Sequence, residues 1–117
     1  MPKNLTEKIF DWCVNEYGLS KYQEYIPWLE IEDDNLGMMG EYESEENTIT
    51  IYENYIKNTD ELVETMIHEY QHYLQSPVWM ERYYTMGHTH STHPYEIQAE
   101  EVAQRDKNKC KKFVNNA

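Results

Sequence analysis

Apolar residues recur at helical spacing in three stretches of the chain, and at alternate positions between the first two. Leu5, Ile9, Trp12, Cys13 and Tyr17 make the first stripe. Asn4 with Glu7 three residues on has the spacing of a capping box, so the pattern predicts a helix over 4–17 that stops at Gly18. Residues 19–25 have no clear period. Leu29 and Ile31 then alternate with Trp28, Glu30 and Glu32, which predicts a short strand closed by Asp33-Asp34-Asn35. Met38–Glu43 and Thr48–Glu53 read as two further strands around the polar turn Ser44-Glu45-Glu46-Asn47. In the second of these, Ile49 and Ile51 share one side while Thr48, Thr50 and Tyr52 share the other, the mark of a half-buried strand in an antiparallel hairpin.

Asn58 and Glu61 repeat the capping spacing, and Leu62, Val63, Met66, Ile67, Tyr70, Tyr73 and Leu74 follow on one helical face. Ser76-Pro77 ends this helix, because a residue before proline is pushed out of the α region. Residues 77–93, with Gly87 and three histidines, read as loop. Pro94 suits the first turn of a last helix capped by Thr92 or His93, with Tyr95, Ala99, Val102, Ala103, Cys110, Phe113 and Val114 on its apolar side. The expectation is a single α+β domain over 1–117. It has an N-terminal helix, a small three-stranded antiparallel or mixed sheet, a central helix and a C-terminal helix.

Composition narrows the function. The chain has 117 residues, and 11 of them are Tyr, so much of the core must consist of amphipathic rings. The net charge of −12 repels phosphate backbones, which argues against nucleic acid as a partner. No apolar run approaches the roughly 20 residues that span a bilayer, and MPKNLTEKIF has no apolar signal region. Cytoplasmic residence with reduced thiols is therefore the expectation. Cys13 and Cys110 lack metal or redox spacing, and a disulfide between the two terminal segments stays open.

His68-Glu69-Tyr70-Gln71-His72 carries the chemistry. Residues four apart on a helix are rotated by only about 40°, so both imidazoles project from one face. Two such nitrogens can bind one Zn²⁺ at about 2.0–2.1 Å. Glu69, next to the first ligand, can reach a metal-bound water as general base. On a helical wheel His68 and His72 lie opposite the apolar arc of Leu62–Leu74, so they are not packed behind it.

Downstream, Glu96-Ile97-Gln98-Ala99-Glu100 completes a pattern that resembles gluzincin metallopeptidases, including the small ImmA/IrrE-like peptidases. The resemblance covers residues 58–104 well, and the preceding hairpin fits the same layout. It implies that Glu96 is the third zinc ligand and that Glu100, one turn on, orients His68. It also implies that Ala99 lets the two helices approach closely. The chemistry agrees, since a His₂Glu site leaves a fourth position for water and ligating histidines normally donate their other N–H to a carboxylate. The loop His88-Thr89-His90-Ser91-Thr92-His93 offers a competing third ligand, His88, as in SprT-like proteases, which this chain also resembles. SprT-like proteins act around DNA, which suits a −12 chain badly. The remaining loop histidines, and Tyr83, Tyr84 and Tyr95, are candidates to steady an oxyanion, with core packing the ordinary role of such tyrosines.

The expectation is thus a zinc-dependent metallopeptidase with one Zn²⁺ per chain, held by His68, His72 and Glu96, with Glu69 as base. Its substrate would be polypeptide, basic or unstructured, paired with an exposed strand within 48–53. The competing reading is a non-enzymatic acidic binding or DNA-mimic protein whose metal only staples two helices.

Overall fold

The computed structural model describes residues 3–33 and 37–116; most of the expected turn Asp33-Asp34-Asn35 lies outside them. The order is α1 (Lys3–Tyr17), β1 (Trp28–Glu32), β2 (Gly40–Glu43), β3 (Thr48–Tyr52), α2 (Thr59–Leu74), α3 (Pro77–Thr85) and α4 (Pro94–Asn116), with one 3₁₀ turn at Glu53–Tyr55. The fold is α+β, with a three-stranded mixed sheet. α1 begins at Lys3, so Asn4 lies inside its first turn rather than capping it. Gly18 ends it in the left-handed region, at φ 75°, where glycine carries no Cβ penalty.

The sheet order is β1-β3-β2. β3 pairs in parallel with β1 and antiparallel with β2. This corrects two expectations for 48–53. The strand is central, so it has no free edge to lend a substrate. It is also buried on both faces, not half-buried. The reason lies in the register: Thr50 sits between Glu30 and Glu41, and Thr48 between Trp28 and Glu43. Flanking side chains on both neighbours cover the short threonines. The free edges among the described residues belong to β1 and β2. β2 is also shorter than expected, beginning at Gly40 where it runs against α2: a Cβ there would stand 2.8 Å from Thr65 Cγ2.

α2 forms the centre, packed on α1, α4, β2 and β3. Its inner face buries Leu62, Val63, Met66, Ile67, Tyr70 and Tyr73 with Ile9, Ile49 and Ile51. Full burial of side chains of this size contributes about 1.5–3 kcal/mol each. The two tyrosines are fully buried, and their hydroxyls are satisfied by the loop after α1. Tyr70 Oη donates to the Gly18 carbonyl at 2.7 Å and Tyr73 Oη donates to that of Tyr25 at 2.8 Å, which fastens the loop to α2. Asn58 caps α2 by accepting from the Glu61 N–H at 2.9 Å, while the Glu61 carboxylate accepts from the Lys57 N–H.

Residues 77–85, expected as loop, are helical. Ser76 accepts from the Trp79 N–H at 3.2 Å and Pro77 stands in the first turn, so the pair that ends α2 also starts α3. α4 starts at Pro94 as expected. His93 rather than Thr92 is its cap, and its Nδ1 accepts from the Tyr95 N–H at 3.0 Å. Phe113, expected on the apolar side, is exposed. Cys13 and Cys110 are buried free thiols, with no disulfide between them. Burial pushes the Cys110 thiol up to about 12.

Candidate metal centre

The helical spacing of His68 and His72 sends both imidazoles off the α2 face that meets the start of α4, away from the core as the wheel requires. They are largely covered, with side chains 18% and 9% exposed, because the first turn of α4 lies over them. That turn carries Glu96. Its Oε1 is 2.9 Å from His68 Nε2 and 2.9 Å from His72 Nε2. One donor atom of each of the three residues lies within 4.8 Å of the others, so the group can hold a metal. His68, His72 and Glu96, expected together, are brought together.

The hydrogen bonds around His72 set the orientation of its ring. Gln75 Nε2 donates to the Tyr95 carbonyl at 3.0 Å, which fixes the amide orientation and turns Oε1 toward His72. His72 Nδ1–H therefore donates to Gln75 Oε1 at 2.7 Å. In neutral imidazole the other nitrogen, Nε2, then bears only a lone pair, and it faces a carboxylate oxygen. Lone pair against lone pair at 2.9 Å needs a positive charge between or on them. A second proton on His72 would supply it: burial alone would lower the His72 pKa, but Glu96 and Glu69 outweigh it and raise it. Burial would likewise raise the Glu96 pKa, yet hydrogen bonds from His68 and His72 hold its carboxyl well below the usual carboxylate range. A divalent cation answers the same demand. Tetrahedral bonds of about 2.0–2.1 Å separate ligand atoms by about 3.3–3.4 Å, so Glu96 Oε1 would part from each histidine nitrogen by only roughly half an ångström to admit such an ion. By composition and geometry the three residues could hold a metal ion.

The other candidates sort themselves by position. Glu100 reaches His68 only loosely, Oε1 to Nδ1 3.9 Å, with a side chain 55% exposed. The firm partner of a candidate ligand is instead Gln75, three residues after His72. Sequence reasoning overlooked it, although the one-turn spacing was a usable signal. His88 does not join the ligands; its Nδ1 meets Thr92 Oγ1 at 3.2 Å. His93 is fully buried, and its Nε2 donates to the Met80 carbonyl at 2.8 Å, which ties α3 to the start of α4. His90, at an exposed turn, is the loop histidine nearest the ligands, with Nε2 3.4 Å from Glu96 Oε1.

Glu69 points into a cleft of about 620 Å³ between β2 and α3 that also exposes His68, His72 and Glu96. Burial pushes its pKa up, and the two histidines only partly offset this. Of the three candidate tyrosines only Tyr84 lines this cleft. Burial and the nearby charge of Glu96 raise the phenol's pKa. Tyr83 and Tyr95 pack edge-on with each other, ring centroids 5.5 Å apart, beside His93. A second cleft of about 890 Å³ runs along α4 and shares His68, His90 and Glu96, so the ligands sit where the two meet.

Comparison of the chain with family models, with curated proteins and with solved structures gives no match. Among the described residues, no helix is long and apolar enough to cross a membrane.

Proposed function

We propose that the chain is a zinc-dependent peptidase acting on polypeptides. The observation that carries this reading is the convergence of His68, His72 and Glu96 in a cleft that Glu69 also lines. His68 Nε2, His72 Nε2 and a Glu96 oxygen would hold the metal. Zinc bound there would supply Lewis-acid polarisation of a scissile carbonyl and would lower the pKa of a bound water toward about 7. Glu69 accepts the proton from the attacking water on a carboxylate oxygen and delivers it to the leaving amide nitrogen. A carboxyl whose pKa is raised by burial suits that return step. Tyr84 Oη donates a hydrogen bond toward the oxygen on which charge develops. An extended substrate pairs with the open edge of β2, whose residues Glu41 and Tyr42 line the cleft. Reduced Cys13 and Cys110 fit a cytoplasmic setting.

The test is Glu69→Gln, which keeps size and polarity but removes the base. Zinc content and melting temperature stay at wild-type values, while hydrolysis of unstructured polypeptides falls by about 10²–10⁴-fold. A hydrolysis rate insensitive to the substitution refutes the reading. One observation favours the competing, structural role: His90 Nε2 stands 3.4 Å from Glu96 Oε1, close enough to become a fourth ligand after rotation of its exposed side chain. A closed site of that kind staples α2 to α4 and hydrolyses nothing. It predicts a large loss of zinc affinity in His90→Ala; the peptidase reading predicts little.

A further inference from the structure

From the walls of the β2–α3 cleft we infer that this site selects polypeptides carrying a Lys or Arg side chain next to the bond it cuts. The inference rests on the peptidase reading and names its substrate class.

Three observations converge. Glu41, from β2, and Glu81, from α3, line the cleft that also exposes the candidate ligands, and neither carboxylate has a hydrogen-bond or ion-pair partner among the described residues. None of the described residues lining this cleft is Lys or Arg. Carboxylates left without partners around a concave site hold a standing attraction for a cation brought by a ligand. Apolar surface lies beside them, from Met38, Tyr42, Pro77 and Met80. Lys and Arg match that combination, an aliphatic stem for the methionines and a charged head for the glutamates. The cleft along α4 differs: it contains Arg105 beside Glu100 and Glu101, with Ile97 and Val102. The two sides of the ligand set are therefore chemically unlike, and the basic residue belongs on the β2–α3 side.

The experiment has a hydrolytic arm and a binding arm. In the first, zinc-loaded protein digests a randomised peptide library and the cut positions are read by mass spectrometry. Lys and Arg should be enriched about tenfold over Leu and Glu at one position beside the cut, the factor expected of one charge-assisted hydrogen bond. Glu41→Gln and Glu81→Gln each reduce that enrichment, and Glu81→Lys transfers it to acidic residues. In the second arm, zinc-loaded Glu69→Gln protein is titrated with fluorescent peptides differing only at a central Lys, norleucine or Glu. Affinity should fall in that order, with about tenfold between Lys and norleucine, and moving the Lys to the peptide end should abolish its advantage. Cuts without charge preference, or equal binding of Lys and norleucine, overturn the inference and leave the peptidase reading intact. Selective binding of the central Lys by a protein that hydrolyses nothing overturns the peptidase reading and supports the pocket.

Discussion

Gln75 offers the sharpest quantitative handle on the centre, because one buried side chain joins a candidate metal ligand to the packing of α4. It accepts from His72 Nδ1–H at 2.7 Å and donates to the Tyr95 carbonyl at 3.0 Å and to Gln98 Oε1 at 2.9 Å. Gln75→Leu preserves most of the volume and removes all three bonds. His72 Nδ1–H and the Tyr95 carbonyl then lose their partner, and an unmade bond at a buried group costs about 1–3 kcal/mol. Partial access of water reduces the sum, so the metal-free protein should lose about 2–4 kcal/mol. Zinc affinity should fall by about 10–100-fold, because the imidazole is no longer held in the tautomer that presents Nε2. Gln75→Glu separates the two effects. It keeps an acceptor for His72 Nδ1–H, and a carboxylate makes the ring a better ligand, so zinc affinity holds or rises. It removes the donor to Tyr95, so stability still falls by about 1–3 kcal/mol. Urea titration in EDTA gives the stability of each variant, and competition with a chromophoric chelator gives the zinc affinity. Wild-type zinc affinity in the Leu variant, or weaker binding by the Glu variant than by the Leu variant, refutes the assigned hydrogen-bond directions.

Three further outcomes are expected. His68→Ala, His72→Ala and Glu96→Gln should each strip zinc as read by metal analysis after dialysis, while His88→Ala keeps it, since His88 bonds Thr92 instead. Gly40→Ala should cost about 1–3 kcal/mol in denaturant titrations, the range for overpacking, because its Cβ would meet Thr65 Cγ2 at 2.8 Å and the Thr50 carbonyl at 3.1 Å. Asp106 is buried, accepts from Tyr17 Oη at 2.7 Å, and is held below its usual pKa first by hydrogen bonds from Arg105. A depressed folded pKa gives stability that is present above the unfolded value of about 3.9 and lost as pH falls through the lower folded value. Tyr17→Phe should thus cost about 1.5–3 kcal/mol at neutral pH, and the gap to wild type should narrow in acid-range urea titrations. A gap that widens in acid would contradict the assignment.

Much of this protein was legible before folding was considered, where local rules suffice. Periodicity and the Asn58 cap determine α2, and helix geometry then puts His68 and His72 on one face with Glu69 beside them. His93-Pro94 determines where α4 starts, which puts Glu96 in its first turn. Tertiary structure decided the rest, because those features depend on neighbours that no local pattern names. An alternation of period two tells which side chains of 48–52 share a face, but not that partners flank both edges and cover the threonines. Ser76-Pro77 is readable as a stop for α2, yet the same cap and proline start α3. That helix buries no side chain fully and so has no apolar stripe to announce it. His88, His90 and His93 look alike in a run of loop residues. Only packing makes one a buried cap, sets one against Thr92 and brings the third toward Glu96. The tautomer of His72 hangs on a glutamine one turn away whose orientation is fixed by a carbonyl on α4. Spacing along one helix can align ligands, whereas the protons and partners that make them ligands come from elements distant in sequence.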